Sequence, residues 1–324
     1  MTTVRPVERP GTHRYDKGAR LGMTLALSLV AMIVLSAVLR PGSVTIWQLL
    51  NVARQASALG IVALGQAVVI LAGGIDLSVG SVLTLVNIVA ASLMGGRDEA
   101  TLYVALICIA IGAGIGAING LGVTKLRIPP FVMTLCTMSV IQGLYLVYSG
   151  GSPRGSASDV LREISTGYAF DVFPYAALIW IAITALVGLV LQRSIFGREV
   201  YSVGSNARAA RLCGISADRT RIATYVISGI MASVAGLLLT GYIGTGSFSL
   251  GADYVNNSLA AVLIGGNAIE GGRGGVVGPA AGAYLMMMLF SLLTMLNLGQ
   301  VGKLVVQGAI IFVVVAAQGR SDRN

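Results

Sequence analysis

Ten apolar runs separated by short polar or glycine-rich breaks dominate this chain. They fall at 21–39, 56–71, 79–94, 102–123, 131–148, 175–191, 222–242, 256–264, 276–296 and 304–317. A helix crossing the hydrocarbon core of a bilayer needs about 20 mainly apolar residues. Only such a helix, or a closed barrel, satisfies its own backbone polar groups in lipid. The pattern therefore predicts an all-α polytopic membrane protein of about ten transmembrane helices. The runs at 79–94 and 256–264 are the weakest, being short or interrupted by glycine. Composition removes the soluble alternative: 55% of residues are hydrophobic and 11% charged, against about 25% charged in soluble domains. A soluble fold of this length cannot hide so much apolar surface.

Lys and Arg set the orientation, because cytoplasmic segments retain positive charge. Ten crossings from a cytoplasmic N-terminus leave sixteen of the 22 inside. These lie before residue 21, at Lys125 and Arg127, across 192–221, at Arg273, and at Arg320 and Arg323. Arg40, Arg54, Arg97, Arg154, Arg162 and Lys303 fall outside. Both termini are thus expected in the cytoplasm, with a tail at 1–20, a transmembrane domain at 21–318 and a second tail at 319–324. The same sorting explains the net charge of +9 without nucleic acid, since no basic patch interleaved with aromatics is present. The run at 21–39 is long for a signal-peptide core and reads as a retained first helix.

Two longer polar stretches remain, an outer loop at 150–174 and an inner loop at 192–221 carrying six arginines. Each is either a solvated connector or a contact for a partner. Within the inner loop, Ser205 or Asn206 suits a helix start and Gly214 a C-terminal stop, around an Ala-rich stretch. A helix of about two turns is too short to persist alone, so it implies docking.

No catalytic constellation emerges. The single histidine, His13, lies in the N-terminal tail, and Cys108, Cys136 and Cys213 lack metal-ligand spacing. Gly302-Lys303 is followed by Leu304, with Asn297 where a P-loop needs its first Gly. The chain is expected to be no enzyme and to hold neither cofactor nor metal. Gly112, Gly116 and Gly120, like Ser228, Ala232, Gly236 and Thr240, recur every fourth residue and predict close helix packing in lipid.

The breaks are more informative. Gly73-Gly74-Ile75-Asp76-Leu77-Ser78 and, later, Gly265-Gly266-Asn267 through Glu270 each put a Gly-Gly break and an acid after an apolar run. Paired interrupted segments in two halves of a transporter suggest an internal repeat and a pathway. Asp76 or Ser78 can instead simply cap the following helix, the reading favoured for Asp76. Gln66, Asn87, Asn119, Gln142 and Asn257 are uncharged amides inside runs, suited to helix-to-helix bonding or to a wet path for a polyhydroxylated solute.

At these residues the chain resembles the permease subunits of ribose-, galactose- and xylose-type ABC sugar importers. The resemblance is carried by Gly73 through Ser81, by Thr134 through Met138, by Phe196-Gly197-Arg198 and Gly204 through Ile215, and by Ala260 through Gly272. It implies a multi-pass protein of the bacterial inner membrane, with no enzymatic activity of its own, that passes a monosaccharide (a ribose-like pentose or a hexose). It also implies three partners: a second permease copy, a cytoplasmic ABC ATPase and a periplasmic sugar-binding protein. Ser205, Asn206, Ala209, Ala210, Arg211 and Gly214 become the expected ATPase contact. Gly73, Gly74, Asp76, Ser78, Asn87, Asn257, Gly265 and Gly266 become the candidates for the translocation pathway. A polyol, a nucleoside or a sugar-like signal fits the same machinery. An ion-coupled transporter fits poorly, since titratable residues within the runs are almost confined to Asp76.

Overall fold

The computed structural model describes residues 12–42 and 44–321; the ends of both expected tails, with Arg5, Arg9 and Arg323, lie outside these. The described residues form helices joined by irregular turns and loops, with one small hairpin. Its helices are α1 (Thr12–Leu39), α2 (Ile46–Leu71), α3 (Val79–Met94), α4 (Thr101–Thr124), α5 (Pro130–Ser149), α6 (Asp159–Thr166), α7 (Tyr175–Arg193), α8 (Ile195–Leu212), α9 (Ala217–Ile243), α10 (Ala252–Ile264), α11 (Val277–Met295) and α12 (Gln300–Ser321). A hairpin of β1 (Tyr168–Ala169) and β2 (Phe173–Pro174) pairs antiparallel between α6 and α7.

Among the described residues, seven helices are long and apolar enough to cross a membrane. The runs at 79–94 and 256–264 become α3 and α10, of 16 and 13 residues, which fall short of that length. Both are buried against longer neighbours rather than left to span lipid alone.

Helix α2 is the axis of the molecule. Its 26 residues rise about 39 Å at 1.5 Å each, and from Ala56 to Leu71 every residue is buried. It packs on α7, α9, α10 and α11. The helix begins ten residues before the apolar run: Thr45 caps it by accepting from the Gln48 N–H, and the polar first turns extend it to Ile46. Arg54 therefore sits inside α2, not in a connector.

Helix α9 is the second scaffold. The glycine stripe of α4 lies along it, with Gly112 against Gly229 and Ser233, Gly116 against Tyr225 and Gly120 against Ile222. A Cβ at Gly229 would stand 2.0 Å from the Gly112 carbonyl oxygen. The stripe at Ser228, Gly236 and Thr240 faces elsewhere, onto the 72–78 turn and α3. Both small-residue faces thus do what their spacing predicts, against different partners.

The inner loop at 192–221 is mostly helix. Ser194 caps α8 by accepting from Gly197 N–H, and α9 begins at Ala217 rather than 222. Only Asn206, with φ −161° and ψ 97°, breaks α8, dividing it into arms at 195–205 and 207–212.

Candidate functional site

The C-terminal end of α2 forms a joint of three chain segments. Leu71 carbonyl accepts from Gly272 N–H at 3.0 Å. Gly204, next to the α8 kink, lies so close to the Leu71 carbonyl that a Cβ there would clash with it. Gly271 packs on the backbone of Gly73, and Gly272 packs on Ser205. Gly73 (φ +77°), Gly271 (+90°) and Gly272 (+70°) also hold left-handed backbone that side chains resist. The first sequence break and the loop after the second thus meet each other and the 204–205 stretch of α8. Gly265 itself packs elsewhere, on Gly278 and Pro279 at the start of α11. Asn267 closes the 267–275 loop by exchanging hydrogen bonds with Gly275.

Beyond Gly74 the chain lies against α9, with Ile75 carbonyl accepting from Tyr225 Oη. Asp76 is buried. One carboxylate oxygen accepts from Ser78 N–H at 2.9 Å and Ser78 Oγ at 2.6 Å. The other accepts from Ser228 Oγ of α9 at 2.8 Å. Asp76 therefore shapes the turn that enters α3 and ties it to α9, but Ser78 occupies the N-cap and no side chain caps α3, so neither residue caps that helix as expected. Ser78 Oγ accepts in turn from Asn119 Nδ2 of α4, whose Oδ1 accepts from Thr137 Oγ1 of α5. Asn119 was legible only as a buried amide needing a partner.

A mirror arrangement holds the segment between α9 and α10. Asn87 of α3 donates to Thr240 Oγ1 and Thr245 O and accepts from Ser247 N–H. Thr84 accepts from Gly251 N–H, and the backbones of Gly80 and Gly251 touch where α3 and α10 begin. Asn87, expected as pathway lining, is buried and makes three hydrogen bonds to its own fold. Asn257 on α10 is nearly buried, and its Oδ1 has no partner among the described residues.

The second arm of α8 has the expected caps. Asn206 Oδ1 accepts from Arg208 and Ala209 N–H at 3.0 Å, and Gly214 ends the arm at φ +82°. Arg211 pairs with Asp218 at 2.9 Å, fastening the arm to α9. Ala210 points inward, in a small apolar cluster with Val203 and Ala217, so it anchors the arm instead of presenting itself to a partner. Arg208, Ala209 and Arg211 face outward. Leu212, which no sequence motif marks, is 85% exposed.

The sequence matches known proteins along nearly its whole length. The family model described as branched-chain amino acid transport system / permease component covers residues 48–315. The ribose import permease protein RbsC of Bacillus subtilis is 34% identical over 309 residues, 91% of each chain. RbsC of Escherichia coli K12 is 33% identical over 302 residues, 91% of this chain and 94% of that protein. The chain belongs to the permease family of the ribose-type ABC importers. It is thus a multi-pass protein of the inner membrane and a transport subunit. The autoinducer 2 import system permease protein LsrC of Yersinia enterocolitica is also similar, 31% identical over 312 residues, 95% of this chain and 85% of that one. No solved structure matches the permease.

At the opposite end of α2 the permease carries a cover built from the 150–174 segment. Helix α6 is capped by Ser158, and Asp98 accepts from Val160 N–H. Arg54 donates to Thr166 O at the C-terminal end of α6, where a cation suits the unpaired carbonyls. Its guanidinium lies 5.7 Å from the ring centroids of both Tyr168 and Tyr242. The β1–β2 hairpin exposes Phe170 almost completely, at 92%. Nearby, a cavity of about 350 Å³ opens between α3, the end of α5 and the following loop, lined by Ser92, Tyr148, Ser149, Ser152 and Arg154 among others.

Proposed function

We propose that this permease pairs with a second copy to pass a monosaccharide, of the ribose-like pentose or hexose class, from a periplasmic binding protein to the cytoplasm. A separate ATPase docks on the 207–212 arm and drives the cycle. The observation that carries this reading is the arm itself: six residues, capped at both ends, project Arg208 and Leu212 while their root is interlocked with α2. So short a helix is stable only as part of something larger. An apolar side chain as exposed as Leu212 beside arginines suits the core of a transient protein contact.

The positive-charge bias supports a cytoplasmic position for this end, both termini and the joint, and a periplasmic one for α6 and the hairpin. The crossed arrangement of the 72–78 and 244–251 segments supports an internal repeat, each segment being held by polar groups of the other half. The ribose import permeases among the relatives support a sugar as solute. The likeness to an autoinducer 2 permease favours a second reading within the same machinery, a sugar-like signal.

Docking is tested by co-purifying the permease with its ATPase. Leu212→Asp is expected to weaken the complex at least about tenfold, equivalent to roughly 1.4 kcal/mol, while the permease alone keeps its thermal stability. Unchanged association would reject the arm as the ATPase contact.

A further inference from the structure

The joint and the Asp76 node sit at the two ends of one connecting turn, 72–78. Docking of an ATPase accounts for the first alone. At the joint, backbone touches backbone: Gly204 on Leu71, Gly272 on Ser205, Gly271 on Gly73. Close-packed contacts of this kind transmit displacement because they have no slack to absorb it. The turn then hands over to a directed chain of hydrogen bonds. Thr137 Oγ1 donates to Asn119 Oδ1 at 2.6 Å, Asn119 Nδ2 to Ser78 Oγ at 2.9 Å, and Ser78 Oγ to Asp76 Oδ1 at 2.6 Å. The direction is fixed chemically, since an amide oxygen and a carboxylate only accept. Bonds aligned in one sense in a dry interior polarise and stiffen one another.

The far end of this chain is α5, a helix with few buried residues that packs on α3 and α4. Only Thr134, Ile141 and Tyr145 of its 20 residues are buried. Its outer half is held by Tyr145 stacking on Phe248 at 5.6 Å, and its inner half by the Thr137 bond, by a long Thr134 Oγ1 contact with the Ile75 carbonyl at 3.5 Å and by packing on α3 and α4. Gln142, an amide in the middle of its apolar run, is exposed. An amide facing lipid is costly, so that face of α5 must look onto water or protein.

We infer that Ser78, Asn119 and Thr137 are positioning residues that carry movement of the coupling arm, through the 72–78 turn, to α5, whose displacement opens and closes the solute route. This rests on the ATPase docking proposed above.

The chain supplies its own reporters. Cys213, at the end of the arm, and Cys136, beside Thr137, are exposed, whereas Cys108 is buried. Spin labels on Cys136 and Cys213 are read in the membrane-reconstituted complex with ATPase and binding protein, before and after trapping with ATP and vanadate. Both labels are expected to shift. In Thr137→Val the shift at Cys213 persists and that at Cys136 is lost. Solute moved per ATP hydrolysed then falls about five- to tenfold, the scale of a modest coupling energy. Thr137→Ser restores both. If Thr137→Val does not assemble, Ser78→Ala cuts the same chain one link on. A wild-type response at Cys213 without one at Cys136 overturns the inference. So does a normal Cys136 response in Thr137→Val, or a proportional loss of uptake and hydrolysis. Silence at both labels rejects the docking itself.

Discussion

At the scale of single residues, buried polar groups are the clearest guide to what each part of this permease does. Asp76, Asn87 and Asn119 are each 1% exposed or less, and each has its hydrogen bonds spent on neighbouring elements. Asn87→Leu removes three bonds and strands the Ser247 N–H. At about 1 kcal/mol for each interaction lost, it is expected to cost roughly 2–3 kcal/mol, seen as a lower unfolding midpoint in detergent. Lost uptake with unaltered stability would instead support Asn87 as pathway lining. These residues could be picked out from the sequence as amides and an acid inside apolar runs. Their partners could not, because Ser228, Thr137 and Ser247 lie far away along the chain and nothing in their spacing announces the contact.

At the scale of elements, small residues decide which helices approach. Gly229→Leu is expected to force α9 off α4, since even a Cβ there meets the Gly112 carbonyl. The cost is about 1–3 kcal/mol of overpacking strain or more, read as reduced thermal stability and yield of monodisperse protein. Gly143→Ala on α5, where the added carbon has nothing within 4 Å, is the matched substitution expected to leave both unchanged. The helices with unbroken apolar runs were legible because lipid leaves the backbone no other solution. The polar parts were less so. The start of α2 depends on Thr45 and on Arg54 finding Thr166 and two tyrosine rings, and the first arm of α8 on Ser194. Such tertiary rescue of polar residues has no signature in hydropathy. Asn206 was legible as a cap, because its chemistry is local.

At the scale of the whole molecule, α2 links two working ends. One carries the joint of Gly73, Gly204 and Gly271 with the exposed arm. The other carries α6, the hairpin with Phe170 and the adjacent cavity. Phe170→Ala is expected to leave basal ATP hydrolysis by the complex intact and to lower its stimulation by the solute-loaded binding protein several-fold. An unaltered response would show that Phe170 is not a contact for the binding protein. The central claim is that nucleotide hydrolysis on one side drives solute delivered on the other through this chain. It is tested most directly by uptake of labelled ribose into proteoliposomes holding the permease and its ATPase, with the binding protein outside and ATP inside. The account predicts accumulation that requires ATP, the ATPase and the binding protein together and survives collapse of ion gradients. Accumulation that persists without the ATPase, or that disappears with the proton gradient while ATP is held constant, would contradict it.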